Sequence, residues 1–250
     1  MAKIPIALQL YSVREDCARD LPGTLQAVAA MGYAGVEFAG YHGRDAAELR
    51  RMLDDLGLKV AGTHLHVDAL VGDELERTIE FNRALGNTFL ICAGLPKERC
   101  TSRAAYREAA GLFNQAAERA AAADMRVGFH NHMREFEPLD GELPWDTFFG
   151  AAKPQVVMQV DTGNALAGGQ EPVELLERYP GRATTVHLKE HAGDGRAVVI
   201  GEGDVRWNDV FRLCETTGGT QWYIVEQESY AHPPLECVRM CLDNLRKMGK

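Results

Sequence analysis

Short apolar segments alternate with helix-like segments throughout this 250-residue sequence, and this order constrains its fold more than any other feature. The apolar segments are continuous runs rather than apolar–polar alternations, which is typical of parallel strands covered on both faces. Eight such segments occur, and each is followed by residues with helical spacing or helix-capping potential. The predicted strands are residues 4–10, 34–38, 58–64, 88–92, 126–130, 156–160, 183–188 and 222–225.

Capping residues mark several of the predicted helices. Asp20 and Pro22 indicate the start of the first helix, because a carboxylate caps free backbone N–H groups and proline is tolerated in a first turn. Gly57 and Gly86 indicate helix ends, where a left-handed residue is favoured. The predicted helices are residues 20–31, 45–56, 74–85, 102–123, 145–152, 172–179, 207–216 and 234–248.

Eight strand–helix units in a chain of this length predict a single α/β domain, residues 1–250, folded as a (β/α)8 TIM barrel. The competing architecture is an open doubly wound sheet. That fold favours a glycine-rich phosphate loop after its first strand, whereas residues 9–13 contain no glycine. No Ser/Pro/Gly-rich linker or low-complexity run divides the sequence, which also favours one domain.

Composition disfavours several classes of partner. The formal net charge is −9 and the sequence pI is about 5.4, so neither nucleic acid nor an anionic membrane surface is an expected partner. The sequence has no apolar run of about 18 residues, as a membrane span requires, and residues 1–5 lack the apolar core of a signal peptide. The six cysteines are scattered without a C-x-x-C pair, which favours reduced thiols and a cytoplasmic location.

Titratable side chains lie at the ends of six predicted strands. In a barrel of this kind, the C-terminal ends of the strands form the active site. A buried charge is costly unless it is paired or bound to a metal, so the shared location of these side chains indicates a metal site. Mixed carboxylate and imidazole ligands suit one divalent ion, with Mn²⁺ preferred and Zn²⁺, Co²⁺, Fe²⁺ or Mg²⁺ as alternatives. The six residues are Glu37, His64, His130, Asp161, His187 and Glu226.

Such a site indicates proton transfer next to a carbonyl group. An ion with open coordination positions can bind two oxygens of a hydroxy-ketone and polarise its carbonyl as a Lewis acid. Flanking side chains can then move the proton of the adjacent carbon. A hydroxy-ketone is therefore the expected kind of substrate.

Several motifs carry a family resemblance. The last four predicted strands end in H-N-H-M-R-E-F at 130–136, D-T-G-N at 161–164, H-L-K-E at 187–190 and I-V-E-Q at 224–227. Together with L-Q-L-Y-S-V-R at 8–14 and G-Y-A-G-V-E at 32–37, they resemble the sugar phosphate isomerase/epimerase superfamily of xylose-isomerase-like barrels. The resemblance covers nearly the whole chain. It implies a metal held by Glu, Asp, His and Glu from strands five to eight, and Asp161, His187 and Glu226 match the last three positions.

The first ligand position departs from this family pattern. His130 occupies the place of the usual strand-five glutamate, and the nearest glutamate is Glu135 in the following loop. Either His130 binds the metal, or Glu135 folds back to bind it while the histidines face the substrate. We expect Glu135 to be the ligand, because an anion neutralises the ion better. His130 and His132, which strand alternation places on one face, are then the expected proton-transfer residues, together with Glu226.

Five residues are expected to bind the substrate. Four of them lie at or just after predicted strand ends. The fifth follows a glycine-rich segment, residues 193–204, which we expect to fold over the barrel mouth. The five residues are Glu37, His64, Asn164, Lys189 and Arg206.

The resemblance implies two classes of enzyme. The first is a divalent-metal-dependent isomerase or epimerase of a keto-sugar or related polyol. The alternative is a lyase or dehydratase acting on an inosose, dehydroshikimate or a 3-keto-glycoside. Both reactions begin by removing a proton next to the ketone, after which reprotonation gives an isomer and loss of a β-oxygen gives an alkene.

Two other readings of the sequence are disfavoured. The related metal-dependent DNA-repair endonucleases need a basic surface, which the acidic charge argues against. A non-catalytic sugar-binding barrel would not need the matched metal ligands. Homo-oligomers are common in the families that this sequence resembles, so a homo-oligomer is compatible with either enzyme class.

Overall fold

Eight parallel strands form a closed barrel in the computed structural model, which describes residues 3–250. Each strand pairs with the next one along the chain, and the last pairs with the first. The single (β/α)8 barrel predicted from the alternation of segments is therefore confirmed. The strands are β1 (Ile6–Gln9), β2 (Gly35–Ala39), β3 (Lys59–Leu65), β4 (Phe89–Cys92), β5 (Arg126–His130), β6 (Val157–Asp161), β7 (Thr185–Leu188) and β8 (Trp222–Val225).

Helices connect the strands in the predicted order. One short helix, α6, lies between β6 and the predicted helix that follows it, and the sequence pattern did not indicate it. The helices are α1 (Arg14–Met31), α2 (Ala46–Leu56), α3 (Gly72–Leu85), α4 (Arg103–Ala121), α5 (Pro144–Ala151), α6 (Thr162–Ala167), α7 (Pro172–Arg178), α8 (Trp207–Thr216) and α9 (Pro234–Lys247). Within residues 3–250, no helix is long and apolar enough to cross a membrane.

The capping residues act as the sequence indicated, with one difference. The Asp20 carboxylate accepts a hydrogen bond from the Gly23 backbone N–H at 3.0 Å, but α1 already begins at Arg14. Asp20 lies at a kink inside this helix, with φ −156° and ψ 86°, and it caps the second part only. Gly57 and Gly86 end α2 and α3 at φ values of 69° and 82°, as a left-handed helix end requires.

Side-chain alternation divides the barrel interior into layers. Toward the N-terminal ends of the strands, two small clusters of apolar side chains fill the barrel interior, and they include Ala7, Ile224 and Val157. These clusters are separate from the main hydrophobic core, which lies between the sheet and the helices. Two residues further along their strands, Val157 is followed by Gln159 and Ile224 by Glu226, which lie on the same face. The barrel thus has an apolar floor below buried polar side chains.

The glycine-rich segment after β7 packs against the side of the barrel. Val198, Val199 and Ile200 are buried, and Asn244 of α9 donates a hydrogen bond to the Ile200 carbonyl at 2.9 Å. The Glu190 carboxylate accepts hydrogen bonds from backbone N–H groups of this segment and from the Trp207 indole. This buried anchor holds the segment away from the barrel mouth, contrary to our expectation that it covers the mouth.

Gly128 in β5 lies where the barrel interior is too narrow for a side chain. A Cβ atom at this position would lie 2.6 Å from Ile91 Cδ1 and 2.8 Å from Val157 Cβ. Gly111 in α4 differs in this respect, because a Cβ atom there would meet no atom within 4 Å apart from the backbone of its own helix. The two glycines therefore differ in the packing cost of a methyl group.

We expect Gly128→Ala to destabilise the protein by about 1–3 kcal/mol, because the added methyl group overpacks the barrel interior. Gly111→Ala is the matched control and should stabilise the protein by up to about 1 kcal/mol through helix propensity. Chemical denaturation followed by circular dichroism measures both changes. Equal free energies of unfolding for the two variants would contradict the close approach at Gly128.

Candidate functional site

Four side chains from consecutive strands converge at the C-terminal end of the barrel. His130, Asp161, His187 and Glu226 each have a ligand atom within 4.8 Å of the other three, and all four are buried. His187 Nδ1 lies 2.8 Å from Glu226 Oε2 and 3.9 Å from Asp161 Oδ2, and His130 Nε2 lies 3.9 Å from Glu226 Oε2. We call these residues the four-residue cluster. Its composition suits a divalent cation.

Asp161 supplies the strongest physical indication of a bound cation. Its Oδ1 atom accepts the backbone N–H of Asn164 at 2.6 Å, while its Oδ2 atom is buried and has no hydrogen-bond partner in the structure. Burial raises the pKa of this carboxyl to about 8, against the opposing charge of Lys189. A buried carboxylate oxygen without a partner is costly, and a cation in the cluster would remove that cost. The donor set therefore fits a metal ion.

His187 lies between two buried carboxylates. Its Nε2 atom is 2.5 Å from Glu37 Oε2, and its Nδ1 atom faces Glu226. Burial alone would lower the pKa of His187, but Glu37 and Glu226 raise it to about 10. Burial likewise opposes ionisation of Glu226, yet His187 and Lys189 hold its pKa well below the usual range. Opposite charges thus balance inside the barrel.

Glu37 lies beneath the cluster rather than at an open surface. Its carboxylate is fully buried and accepts hydrogen bonds from Gln9 at 2.7 Å and from Gln159 at 2.8 Å, besides its contact with His187. Both of its oxygens accept hydrogen bonds from protein groups. We therefore revise its expected role in substrate binding, because the residue supports His187 from below.

A cavity of about 540 Å³ opens above the four-residue cluster. His64, His130, His132 and Glu226 line it. Strand alternation predicted that His130 and His132 share a face, and their rings lie 5.2 Å apart, with His132 exposed. The remaining lining residues are Tyr11, Ala39, Leu65, His66, Ala93, Gly94, Leu95, Pro96, Arg134 and Glu228.

Glu135 does not belong to the four-residue cluster. Its carboxylate is fully buried, with Oε2 accepting the His132 backbone N–H at 2.8 Å and Oε1 accepting Arg134 Nε at 3.0 Å. The reason is local: Glu135 lies in a 3-10 turn, Met133–Phe136, whose free N-terminal N–H groups attract a carboxylate. The structure thus brings His130 to the cluster and turns Glu135 away from it, against our preferred assignment.

The other expected substrate-binding residues do not line the cavity. The Asn164 amide bridges the Asn131 carbonyl and Lys189 Nζ, at 3.1 and 3.0 Å. Lys189 also pairs with Glu228 at the rim, and its ammonium group offsets nearby negative charge. Both residues border the cluster without facing the cavity.

Arg206 lies outside the site. It is exposed at the start of α8 and pairs with Glu171 at 3.2 Å, because the segment before it packs against the side of the barrel. Of the five residues expected to bind substrate, His64 is the one that lines the cavity.

Gln159, Arg134 and Glu228 contribute to the site although they were not among the residues expected there from the sequence. Gln159 is fully buried and contacts Glu37, His64 and His130. The sequence pattern could have indicated Gln159, because it is a polar residue within an apolar run. It also lies two residues before Asp161 and therefore on the same strand face. No comparable pattern marks Arg134, whose position depends on the loop fold.

Comparison with known proteins agrees with this fold. The family model described as a xylose isomerase-like TIM barrel matches residues 25–248, so the chain belongs to this family, as the motifs indicated. The chain is 28% identical to the rhizopine catabolism protein MocC of Rhizobium meliloti, over 100% of this chain and 90% of the relative. It is 27% identical to an inosose dehydratase of Erwinia tasmaniensis, with 80% of each chain covered.

Solved structures show the same architecture. A sugar phosphate isomerase/epimerase from Parabacteroides distasonis superposes with a TM-score of 0.84 at 25% identity, covering 97% of both chains. A second structure with that description from the same organism gives a TM-score of 0.86 at 23% identity, covering 98% of this chain and 94% of the other. The chain therefore belongs to a family that contains both isomerases and dehydratases.

We expect metal-free protein to bind one divalent ion and Asp161→Asn to lose most of that affinity, because the variant removes a charged ligand but keeps its size. The affinity should fall by more than about 100-fold, because mutation of residues that only orient a metal ligand already lowers metal affinity by up to about 100-fold. Titration calorimetry with Mn²⁺ and with Zn²⁺ measures it. Asp55→Asn, exposed in α2, is the matched control. Unchanged affinity in Asp161→Asn would exclude this cluster as the binding site.

Proposed function

We propose that this chain is a divalent-metal-dependent lyase that dehydrates a keto-polyol by removing the proton next to its carbonyl group. The observation that carries the proposal is the four-residue cluster, of which His130 and Glu226 line a cavity of about 540 Å³ beside the exposed imidazole of His132. This volume lies in the usual range for small-molecule sites. The arrangement combines a cation site with a proton acceptor.

His130, Asp161, His187 and Glu226 are the proposed metal ligands. A divalent cation held by them would supply Lewis-acid polarisation of the substrate carbonyl. A bound ion would displace the proton that His187 holds between Glu37 and Glu226. Two carboxylates and two neutral imidazoles would then carry a charge of −2, which balances a divalent ion. The family pattern, with three carboxylates and one imidazole, carries one more negative charge. A ligand set without excess negative charge would leave the ion a stronger Lewis acid. The bound carbonyl would then be more polarised, and the proton on the adjacent carbon more acidic.

His132 is the proposed proton-transfer residue. The cavity wall removes part of the solvent around this otherwise exposed ring and lowers its pKa, so the ring is neutral near pH 7 and can accept a proton. As the C–H bond breaks, its electron pair forms the enolate, and loss of the β-oxygen then gives the alkene. The same imidazolium can return its proton to the departing hydroxyl, so that water leaves.

Elimination is favoured over isomerisation by the ligand set and by the relatives. Epimerisation moves a proton between opposite faces of one carbon and needs a group on each face, whereas one imidazole can serve both steps of a dehydration. His130, in the place of the family's strand-five glutamate, is buried with Nδ1 hydrogen-bonded to Gln159, and its Nε2 is the proposed metal-binding atom, so no free acid–base group is left there. Relatives that cover 80% and 86% of this chain are inosose dehydratases, and an inosose is a cyclic keto-polyol.

An isomerase or epimerase of a keto-sugar is the second candidate. Two carboxylates, Glu226 and Glu228, line the cavity, and either could serve as a second proton-transfer group. The Parabacteroides distasonis structures described as sugar phosphate isomerase/epimerase favour this class at the level of the fold. Manganese remains the preferred ion for either reaction, and a small sugar or polyol the preferred substrate.

A substrate panel in D₂O separates the two candidates. The Mn²⁺-loaded protein is incubated with inososes, 3-keto-glycosides, dehydroshikimate and ketoses, and the products are followed by ultraviolet absorption and mass spectrometry. A dehydratase loses water and forms an ultraviolet-absorbing enone. Deuterium incorporation without loss of water identifies an isomerase and contradicts the proposed elimination.

We expect His132→Gln to lower turnover by about 10²–10⁴-fold while metal affinity stays unchanged, because the variant removes a general base but no ligand. His232→Gln is the matched control, since His232 is exposed and does not line the cavity. Steady-state kinetics and calorimetry on the same preparations measure the two properties. Full turnover in His132→Gln would assign the proton transfer to another residue.

We expect His130→Gln to weaken metal binding by at least about 10-fold, because it removes a proposed ligand. Glu135→Gln should change metal affinity much less, since its carboxylate contacts His132 and Arg134 rather than the cluster. Glu137→Gln, an exposed neighbour, is the control for the loop. The reverse order of metal affinities would restore Glu135 as the fourth ligand.

A further inference from the structure

We propose that Gln159 is a positioning residue that selects the tautomer of His130, so that the Nε2 lone pair of this imidazole faces the cation site. This inference rests on the metal site of the proposed function but not on the reaction that the enzyme performs. It assigns a task to a buried amide that is neither a proposed ligand nor exposed to the cavity.

Gln159 lies in β6 directly below the four-residue cluster. Its side chain is fully buried, with one end of the amide against Glu37 and the other end against His64 and His130. The neighbouring residues of this strand, Met158 and Val160, are apolar and face the helices. A polar side chain at this depth is stable only when its hydrogen-bonding groups are satisfied.

The contacts of Gln159 determine which end of the amide is the NH₂ group. One end lies 2.8 Å from Glu37 Oε1 and 3.1 Å from Thr185 Oγ1. A carboxylate oxygen accepts hydrogen bonds and does not donate them, so the amide nitrogen must face Glu37. The amide oxygen therefore faces the two imidazoles, and a rotated amide would place two acceptors against each other.

The amide oxygen in turn determines the protonated nitrogen of each imidazole. It lies 3.2 Å from His130 Nδ1 and 2.7 Å from His64 Nε2, and a carbonyl oxygen can only accept, so both ring nitrogens carry a hydrogen. A neutral imidazole has one N–H group, which leaves the lone pair of His130 on Nε2. That atom faces the cluster, 3.9 Å from Glu226 Oε2.

The same logic separates His64 from the ligands. His64 lies so close to His130 and His187 that one nitrogen from each of the three imidazoles could form an alternative metal site. Its Nε2 atom donates to the Gln159 oxygen and is also 3.2 Å from Glu37 Oε2, so this nitrogen has no lone pair for a metal. Gln159 thus makes His130 a ligand and keeps His64 Nε2 from competing for the same ion.

Glu37 acts on His187 as Gln159 acts on His130. The carboxylate engages His187 Nε2, and the opposite nitrogen, Nδ1, faces Asp161 and Glu226. Metal-binding histidines commonly donate their second N–H group to a carboxylate or carbonyl in this way. The Glu37–Gln159 pair therefore directs both imidazoles of the cluster toward one point.

Gln159→Met tests this inference, because it preserves the volume of the side chain and removes its amide. We expect divalent affinity to fall by about 10–100-fold, the usual effect of losing a group that orients a metal-binding histidine. Titration calorimetry without substrate measures it. If Gln159 only fills space, the melting temperature changes while metal affinity stays at the wild-type value, and the proposal is wrong.

The tautomer itself provides a second measurement that needs no variant. Two-bond ¹H–¹⁵N correlation spectra of metal-free wild-type protein should show His130 protonated on Nδ1, and Gln159→Met should show a mixture of tautomers. Thr185→Val is the matched control: it removes a hydrogen bond from the same amide but leaves Glu37 to orient it, so the tautomer should persist. A wild-type His130 protonated on Nε2 would overturn the proposal.

These results are distinguishable from failure of the metal site. If wild-type protein and Asp161→Asn bind divalent ions equally, the cluster is not the binding site, whatever the state of His130. If Asp161→Asn loses affinity while Gln159→Met keeps it, the site stands and the role of Gln159 is refuted. Neither outcome depends on identifying the substrate.

Discussion

The contact of His187 with two buried carboxylates is the interaction on which the site depends. Glu37 lies at one ring nitrogen and Glu226 at the other, and all three side chains are almost completely buried. Isolated charges at this depth would be strongly destabilising, but together they offset one another. The barrel can therefore hold a dense group of ionisable residues in its interior, provided that the group stays complete.

The barrel makes this grouping geometrically simple. Side chains on one strand face alternate with a period of two, so polar residues two positions after interior apolar residues form a layer above the apolar floor. Gln9, Glu37 and Gln159 belong to this layer and are fully buried. The cluster lies beside this layer at the C-terminal ends of the strands, where the cavity begins. Orientation of the imidazoles is thus provided by strands, which are more rigid than loops.

The departure from the family ligand pattern has a consistent chemical consequence. In the proposed assignment, with His130 in place of a glutamate, the ligand set would balance a divalent ion, and the strand-five position would supply no carboxylate for proton transfer. That task then falls to a residue beyond the strand, and His132 lies on the same cavity wall. Glu135 contributes indirectly, because its carboxylate holds the backbone of His132 in place.

The sequence by itself determined the barrel and the residues that meet at its mouth. Helix caps and apolar runs are local features, and the strand order follows from them, so Asp161, His187 and Glu226 could be placed at one rim without a structure. The tertiary structure decided which neighbours these residues contact. Whether His130 or Glu135 joins the cluster depends on a single 3-10 turn, and the role of Gln159 depends on distances to residues about a hundred positions away in the chain, such as His64. The position of Arg206 likewise follows from buried contacts of Glu190 that no local pattern indicates.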